Sequence, residues 1–456
     1  MFSNHLKINT KYVCTIIALT IFILPFYSQS NATAAIPSGT VKTYDSRVKL
    51  VRKTRGLAAF WDFVLREDGI QGNGKFMAYT RKGDIHRYIL EPHNVSLDFW
   101  NDGVPATMDD FPLLGSGPFG QAVQFRAPKS LNDLPVLMLS RASLNDTPID
   151  VKGPGQSVSM LVWLIYQEGD HAIAGMWHEG TDSKPLGIPA KVKVRGQRQY
   201  GLFAGLSANP GTVGAHISDN GLTSFGANYA KHMSDTKEKI VKASTTGTPD
   251  ELNSKWSVVG FVYDNKKKMV TSYLDGKTSE YWIENPSKDV FYNYAANAWK
   301  QFQLSKIEGV QKGEDVNFPK DQYYSPPEDK ILEEKIISES NEERIVIREY
   351  EFTKLKVILK KDSRGKFNTI SSSEMVAIKA NPYWIGKDIY SPQSESEGSP
   401  FTIGRVIHSN RHATLSAYFG GVAVYNTALS EKEMEKLSMI GRTAEYPVIK
   451  IPENQN

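Results

Sequence analysis

The sequence predicts an all-β sandwich that carries a charged β-ribbon insertion and a short C-terminal helix. Three observations lead there. Strand-like runs dominate from about residue 57, among them "GLAAFWDF", "SVSMLVWLIYQ", "AIAGMWHEG", "TVGAHISDNG" and "WSVVGFVYD", all rich in Val, Ile, Phe, Tyr and Trp and punctuated by Gly, Pro, Asn and Asp. No long segment of the body repeats its apolar residues at the helical period. The chain of 456 residues is long enough for one large β domain with its own core.

The N-terminus reads as an export signal. Lys7 and Lys11 precede an apolar stretch too short for a membrane span, and Ala32, Thr33 and Ala34 supply a small-residue cleavage site, which bounds a signal peptide at residues 1–34. The single cysteine, Cys14, lies inside that stretch, so the exported chain has no disulfide, thiol nucleophile or cysteine-ligated metal. A large disulfide-free exported domain points to bacterial export, with the product secreted, periplasmic or held at the cell surface. Removing Lys7 and Lys11 from the formal charge of +4 leaves +2, which does not suggest a nucleic-acid partner. The exported chain offers no membrane span, and the sequence leaves its oligomeric state unspecified.

The elements follow in order. Residues 35–55 form an N-terminal extension, residues 56–445 the main domain and residues 446–456 a tail. The Pro-, Gly- and Asp-rich stretch 84–117 reads as a surface loop or insertion. "VVGFVYD" and "MVTSYLDG" alternate about the polar turn "NKKK", which predicts a hairpin. At about 305–365, heavy charge with alternating Ile, Val, Tyr, Phe and Leu after Pro326 and Pro327 predicts an inserted antiparallel ribbon whose Lys-rich 354–361 run faces solvent. In "LSEKEMEKLSMIG", Ser430 with Glu433 three residues on predicts a capped helix.

The start "GLAAFWDF", the hairpin "WSVVGFVYDNKKKMVTSYLDGK" and the close "FGGVAVYNTALSEKEMEKL" together resemble the bacterial laminin-G-like and concanavalin A-like jelly-roll domains. The resemblance covers most of residues 56–440 outside the ribbon and implies a concanavalin A-like jelly-roll sandwich. It implies little about activity, because that scaffold hosts lectins, adhesion modules, glycosidases and polysaccharide lyases. Asp264 and Asp275 close the turns of the hairpin and are expected as turn formers, with calcium ligation as their alternative role. No other cofactor is expected.

Three chemistries bear on the remaining residues. No Glu-x-Asp-x-x-Glu pattern occurs after the signal peptide, which removes the best known hydrolase signature of this scaffold. A lyase needs a group to neutralise a uronate, a base and an acid; Arg198, His216 and Tyr200 supply the types, with Asn220 and Tyr229 nearby. A glycan-binding face needs an aromatic platform and planar hydrogen-bonding groups, for which Trp177, His178, Glu179, Tyr200, His216, Asp219 and Asn220 are candidates.

Strand alternation constrains these residues. Val213, Ala215 and Ile217 point to one face and Gly214, His216 and Ser218 to the other, while Trp177 and His178 point apart. Trp177 is either a platform or a core tryptophan, and His216 either a ligand contact or a strand histidine bonded to a neighbouring loop. Gly214 and Gly221 would permit close approach of a ligand or of another backbone. His408, Arg411 and His412 read as a solvated turn, and Tyr383 with Trp384 as a second platform or as packing for the ribbon. The expected function is non-catalytic recognition of a polysaccharide or cell-surface glycan, lectin-like. A lyase or glycosidase, or a protein-binding adhesion module, is the alternative.

Overall fold

The structure, a computed structural model, describes residues 46–170, 172–182, 189–205, 210–221, 233–252, 256–285, 324, 326–408, 411 and 415–449. The expected signal peptide lies outside them, as do Tyr229 and His412. In chain order the first strands are β1 (Leu57–Trp61), β2 (Leu65–Arg66), β3 (Gly69–Ile70), β4 (Glu91–Asn94), β5 (Val123–Phe125) and β6 (Pro135–Leu139). The middle of the chain gives β7 (Val158–Glu168), β8 (Ala172–His178), β9 (Gln197–Phe203), β10 (Thr212–Ile217), β11 (Met233–Lys239), β12 (Ser257–Asp264), β13 (Met269–Leu274) and β14 (Tyr281–Glu284). Then come β15 (Glu333–Glu339), β16 (Glu343–Glu349), β17 (Thr353–Lys361), β18 (Phe367–Asn381), β19 (Tyr383–Trp384), β20 (Phe401–Ile403) and β21 (Ser416–Tyr425). Among the described residues four α-helices accompany them: α1 (Ser46–Lys53), α2 (Val95–Trp100), α3 (Arg141–Leu144) and α4 (Glu431–Ser438).

The protein is an all-β sandwich. One sheet runs β1-β21-β7-β12-β13-β19 with β5 on β21, the other β11-β10-β9-β8-β20-β6-β4. The continuous apolar run of β7 explains the layering. Val158, Met160, Val162, Leu164 and Tyr166 face the core between the sheets, while Leu161, Trp163 and Ile165 face outward into a second apolar layer. That layer is closed by Val48 and Val51 of α1, Phe119, and Met434 and Leu437 of α4. The first sheet is therefore buried on both sides, and truncating Trp163 to Ala would cost about 3–5 kcal/mol.

The predicted hairpin forms, with Tyr263 opposite Val270 and Asp264 opposite Met269. The helix α4 starts at Ser430, which exchanges capping bonds with Glu433 in both directions. The segment expected as the loop 84–117 instead holds β4, which completes an edge of the second sheet, and α2, capped by Asn94. The extension 35–55 contains α1, whose buried Arg47 donates to the Pro118 carbonyl at 3.0 Å. At the other end, the Ile449 amide donates to Gly117 at 3.0 Å, so the stretch expected as a tail begins inside the fold.

The ribbon is a five-stranded sheet, β14-β18-β17-β16-β15, over Tyr281–Glu284 and Glu333–Asn381, later in the chain than the expected 305–365; residues 286–323 are not among those described. Its two ends differ in environment. The first half of β18 is exposed, whereas Ala377, Ile378 and Ala380 join the main core. Asn381 fixes the junction: its side chain accepts from Ser234 Oγ and the Ser272 amide and donates to the Ser272 and Ser279 carbonyls. Lys354, placed by sequence on a solvated face, pairs with Glu349 at 2.8 Å and lies 4.5 Å from the Trp282 ring centroid.

Asp62, just after β1, is buried, and its Oδ1 accepts the amides of Val64 and Leu65 at 2.9 and 2.8 Å. Burial raises its pKa to about 6 despite those bonds. The native state therefore holds this proton more tightly than the unfolded chain, and the contribution is lost as pH rises from about 4 to 6. Urea unfolding should show up to ~3 kcal/mol less stability from this source at pH 7 than at pH 4. The component should vanish in Asp62→Asn, which keeps the acceptor; an unchanged pH profile in that variant would contradict the assignment.

Candidate ligand-binding site

Strand β10 sends Val213, Ala215 and Ile217 into the core, as alternation predicts, and His216 to the far side. That far side is covered. His216 is 3% exposed, with its ring 4.7 Å from Phe203 and 5.3 Å from Trp177. Trp177 is 2% exposed and clusters with Ala172, Phe203 and Val406, so it packs as a core tryptophan and presents no platform. Its indole N–H donates to Glu179 Oε1 at 3.1 Å. Glu179 also binds His408 Nε2 at 2.8 Å and lies 3.7 Å from Arg198 Nη2.

Tyr200, expected to share a groove with His216, faces the core instead. The β8–β9 register pairs Met176 with Tyr200 but Trp177 with Arg198, leaving Gln199 as an extra residue in β9. Gln199 and Tyr200 consequently reach the same inner segment: Gln199 Nε2 bonds Asp150 and Val151, and the Tyr200 hydroxyl donates to the Ile149 carbonyl at 2.6 Å. Burial holds the Tyr200 pKa well above its ordinary value. Tyr200 and His216 thus leave opposite faces of the second sheet. The base, acid and Arg198 expected of a lyase are not brought together.

Asp219 and Asn220 are half-buried in the turn after β10, where Ser218 Oγ lies 3.4 Å from Asn220 Oδ1 and receives the Gly221 amide. Gly221 is needed there, since at its φ of 74° a Cβ would stand 2.5 Å from the Tyr390 ring. Asp264 and Asp275 act in turns: Asp264 accepts the Lys266 amide, and Asp275 accepts the Val258 amide and pairs with Arg442 at 2.7 Å. Among the described residues, no three His, Cys, Asp or Glu stand together as a metal site. Tyr383 is fully buried and stacks 5.3 Å from Tyr324, so it too is packing. Arg411 lies buried over the Trp100 ring at 4.8 Å and bonds Asp102, which replaces the expected solvated turn.

Of the glycan candidates, His178 borders a sizeable cavity. The recess, about 510 Å³, opens at the end of the second sheet where β6 and β8 finish and β9 and β20 begin. Phe99 and Met138 form apolar wall, and Arg141, Gln197 and Glu395 bring polar groups. His178 Nδ1 accepts the Gly180 amide at 2.9 Å, which places the ring proton on Nε2. That nitrogen is buried and has no hydrogen-bond partner among the described residues. Phe99 is half-buried and meets the imidazole edge-on at 5.3 Å.

The surrounding bonds stiffen the recess. Arg141 grips Asp150 through Nη1 and Nη2 at 2.6 and 2.8 Å, and Lys152 joins at 2.6 Å. Burial alone would raise the Asp150 pKa, yet these two cations hold it below its ordinary value. Gln197 Nε2 donates to the Ser396 carbonyl, pinning the 3-10 turn at Glu395–Glu397 to β9. Sequence reasoning missed Phe99, Gln197, Arg141 and Glu395. For Phe99 a signal existed in "NVSLDFW", where Asn94 caps a short helix that buries Trp100 and leaves its neighbour at the surface.

No family model matches the chain, and no curated protein matches it. Solved structures align at low identity. Domain 4 of AbnA, an extracellular GH43 arabinanase from Geobacillus stearothermophilus, solved with arabinotriose, aligns over 84% of this chain and 98% of its own at 9% identity and a TM-score of 0.34. The receptor-binding domain of botulinum neurotoxin D aligns over 84% and 52% at 8% identity and 0.32, and the NanB sialidase of Streptococcus pneumoniae over 70% and 28% at 12% identity and 0.29. The chain thus spans about a quarter of the sialidase chain and half of the neurotoxin's receptor-binding domain.

Burial, then the charge of Arg198, lowers the His178 pKa to about 3. Because the unfolded chain takes up the proton first, this group costs stability as pH falls from about 6.5 towards 3. The His178 Cε1–H resonance is expected to stay put between pH 8 and 4; a midpoint near 6.5 would show a solvated ring.

Proposed function

We propose that this chain is an exported bacterial carbohydrate-binding protein of the laminin-G-like or concanavalin A-like kind, and that it holds part of a polysaccharide or cell-surface glycan in the recess at the end of the second sheet. The observation that carries this reading is the buried Nε2–H of His178 at a cavity walled by a half-buried Phe99. A sugar ring offers an apolar face to an aromatic and hydroxyl oxygens to a fixed donor. Gln197 and Glu395 add a planar amide and an acceptor at the same recess.

Binding without catalysis fits the electrostatics. An imidazole with a pKa near 3 donates a hydrogen bond at neutral pH but does not shuttle protons. Asp150, the buried carboxylate nearby, is committed to Arg141 and Lys152. The protein-binding alternative draws on a different observation: Leu332, Ile336, Ile337 and Ile370 of the ribbon region are each 51–55% exposed.

Retention of the exported chain on a panel of polysaccharides, with reducing ends and unsaturated uronate absorbance followed in parallel, separates these readings. Retention without product is expected. Phe99→Ala and His178→Phe should each weaken it about 10-fold. Product formation would overturn the non-catalytic reading. Loss of partner binding on Ile336→Glu with Ile370→Glu, and none on the cavity variants, would favour the adhesion module.

A further inference from the structure

Among the described residues the buried arginines have hydrogen-bond partners, Arg66 for one in the Gly74 carbonyl, with one departure. Arg141 is bound by Asp150, Arg47 by the Pro118 carbonyl, and Arg411 by Asp102 and the Leu131 carbonyl. Arg405 is 4% exposed, yet its Nε and Nη1 are buried with no hydrogen-bond partner among the described residues. It lines a recess of about 110 Å³ beyond the C-terminal end of β20, beside Phe111 and Phe125. This is well above the ~10–15 Å³ that a single water needs, so a small ion fits. Gly404 brings the backbone in close: its φ is 88°, and a Cβ there would strike the Phe125 ring.

A buried cation with two orphaned N–H donors is costly unless something supplies acceptors. Burial lowers its pKa only to about 10, leaving it charged at neutral pH. Asp133 acts on it through space and makes no bond to it. Around the recess Arg126, Lys129 and Arg405 face Asp109, Asp110 and Asp133, so three cations balance three carboxylates. A recess of that balance takes a monoanion at Arg405 more readily than a dianion, which meets twice the repulsion from the three carboxylates.

We propose that this recess is a carboxylate site, in which Arg405 Nε–H donates to an oxygen of a monoanionic carboxylate, either a free small acid or a group borne on a larger molecule at the mouth. The site lies at the opposite end of β20 from the recess of His178, and its occupancy does not depend on the glycan reading. Each assay below can fail without the other.

The test titrates sodium acetate into the full exported chain at constant ionic strength set with sodium chloride, following Tm and heat of binding. A saturable rise in Tm of ~2 °C or more is expected with acetate, and a weaker response with sulfate. Arg405→Met should weaken acetate binding at least ~10-fold. If that variant does not fold, Arg405→Lys, which loses Nε–H, should weaken it as well. Glucuronate binding tighter than acetate assigns the group to a larger molecule, and equal or weaker binding assigns a free acid. The proposal is overturned if the unaltered chain gives no saturable acetate response, or if either variant responds as the unaltered chain does.

Discussion

The fold depends on the two-sided burial of β7. A strand that is apolar on both faces cannot lie at the surface of a two-layer sandwich unless a third layer covers it. Here α1, α4 and the loop carrying Phe119 supply that layer over Leu161, Trp163 and Ile165. The N-terminal extension and the C-terminal helix are thereby recruited as cover for the first sheet. The two recesses described above both border strands of the second sheet, the smaller one also reaching Phe125 of β5 in the first.

The alternation of residues made much of this legible. In β10 the period of two separates Val213, Ala215 and Ile217 from His216 without error, and the β12–β13 hairpin and the Ser430 cap follow from local chemistry alone. Tyr200 was not legible, because one extra residue at Gln199 reverses parity along β9 and nothing in "QRQYGLF" marks the bulge. For His216 and Trp177 alternation leaves two readings open, ligand contact or packing; Phe203 and Val406, which close that face, decide for packing, and a histidine and a tryptophan pack well against aromatics. Of the site residues, His178 was identified by type; its partners at the cavity come from segments some 80 residues before it and 220 after it.

Buried ionisable groups show how burial and pairing compete. Asp150 lies deep in the protein, but two cations outweigh its desolvation and keep it a carboxylate. Asp62 has backbone amides and the Tyr79 hydroxyl but no cation, and desolvation wins. His178 has one amide and a repelling arginine, so it is held neutral. Geometry decides which residues meet, and the count of compensating charges then decides which of them can donate, accept or titrate.

The short strand β20 links the two recesses. Only Phe401–Ile403 form its ladder, with Phe401 opposite Leu139 and Ile403 opposite Leu137, so the chain leaves the sheet within about 10 Å at either end. At one end Pro400 borders the cavity of His178; at the other, Gly404 and Arg405 line the smaller recess. Pro400 has no amide to extend the ladder at its end, and at the other the Gly404 amide makes a last bond to the Ile173 carbonyl at 2.7 Å before the chain turns away. The shortness of β20, flanked by Pro400 and Gly404, is the local feature that opens the second sheet at both ends while Phe401 and Ile403 stay anchored in the core.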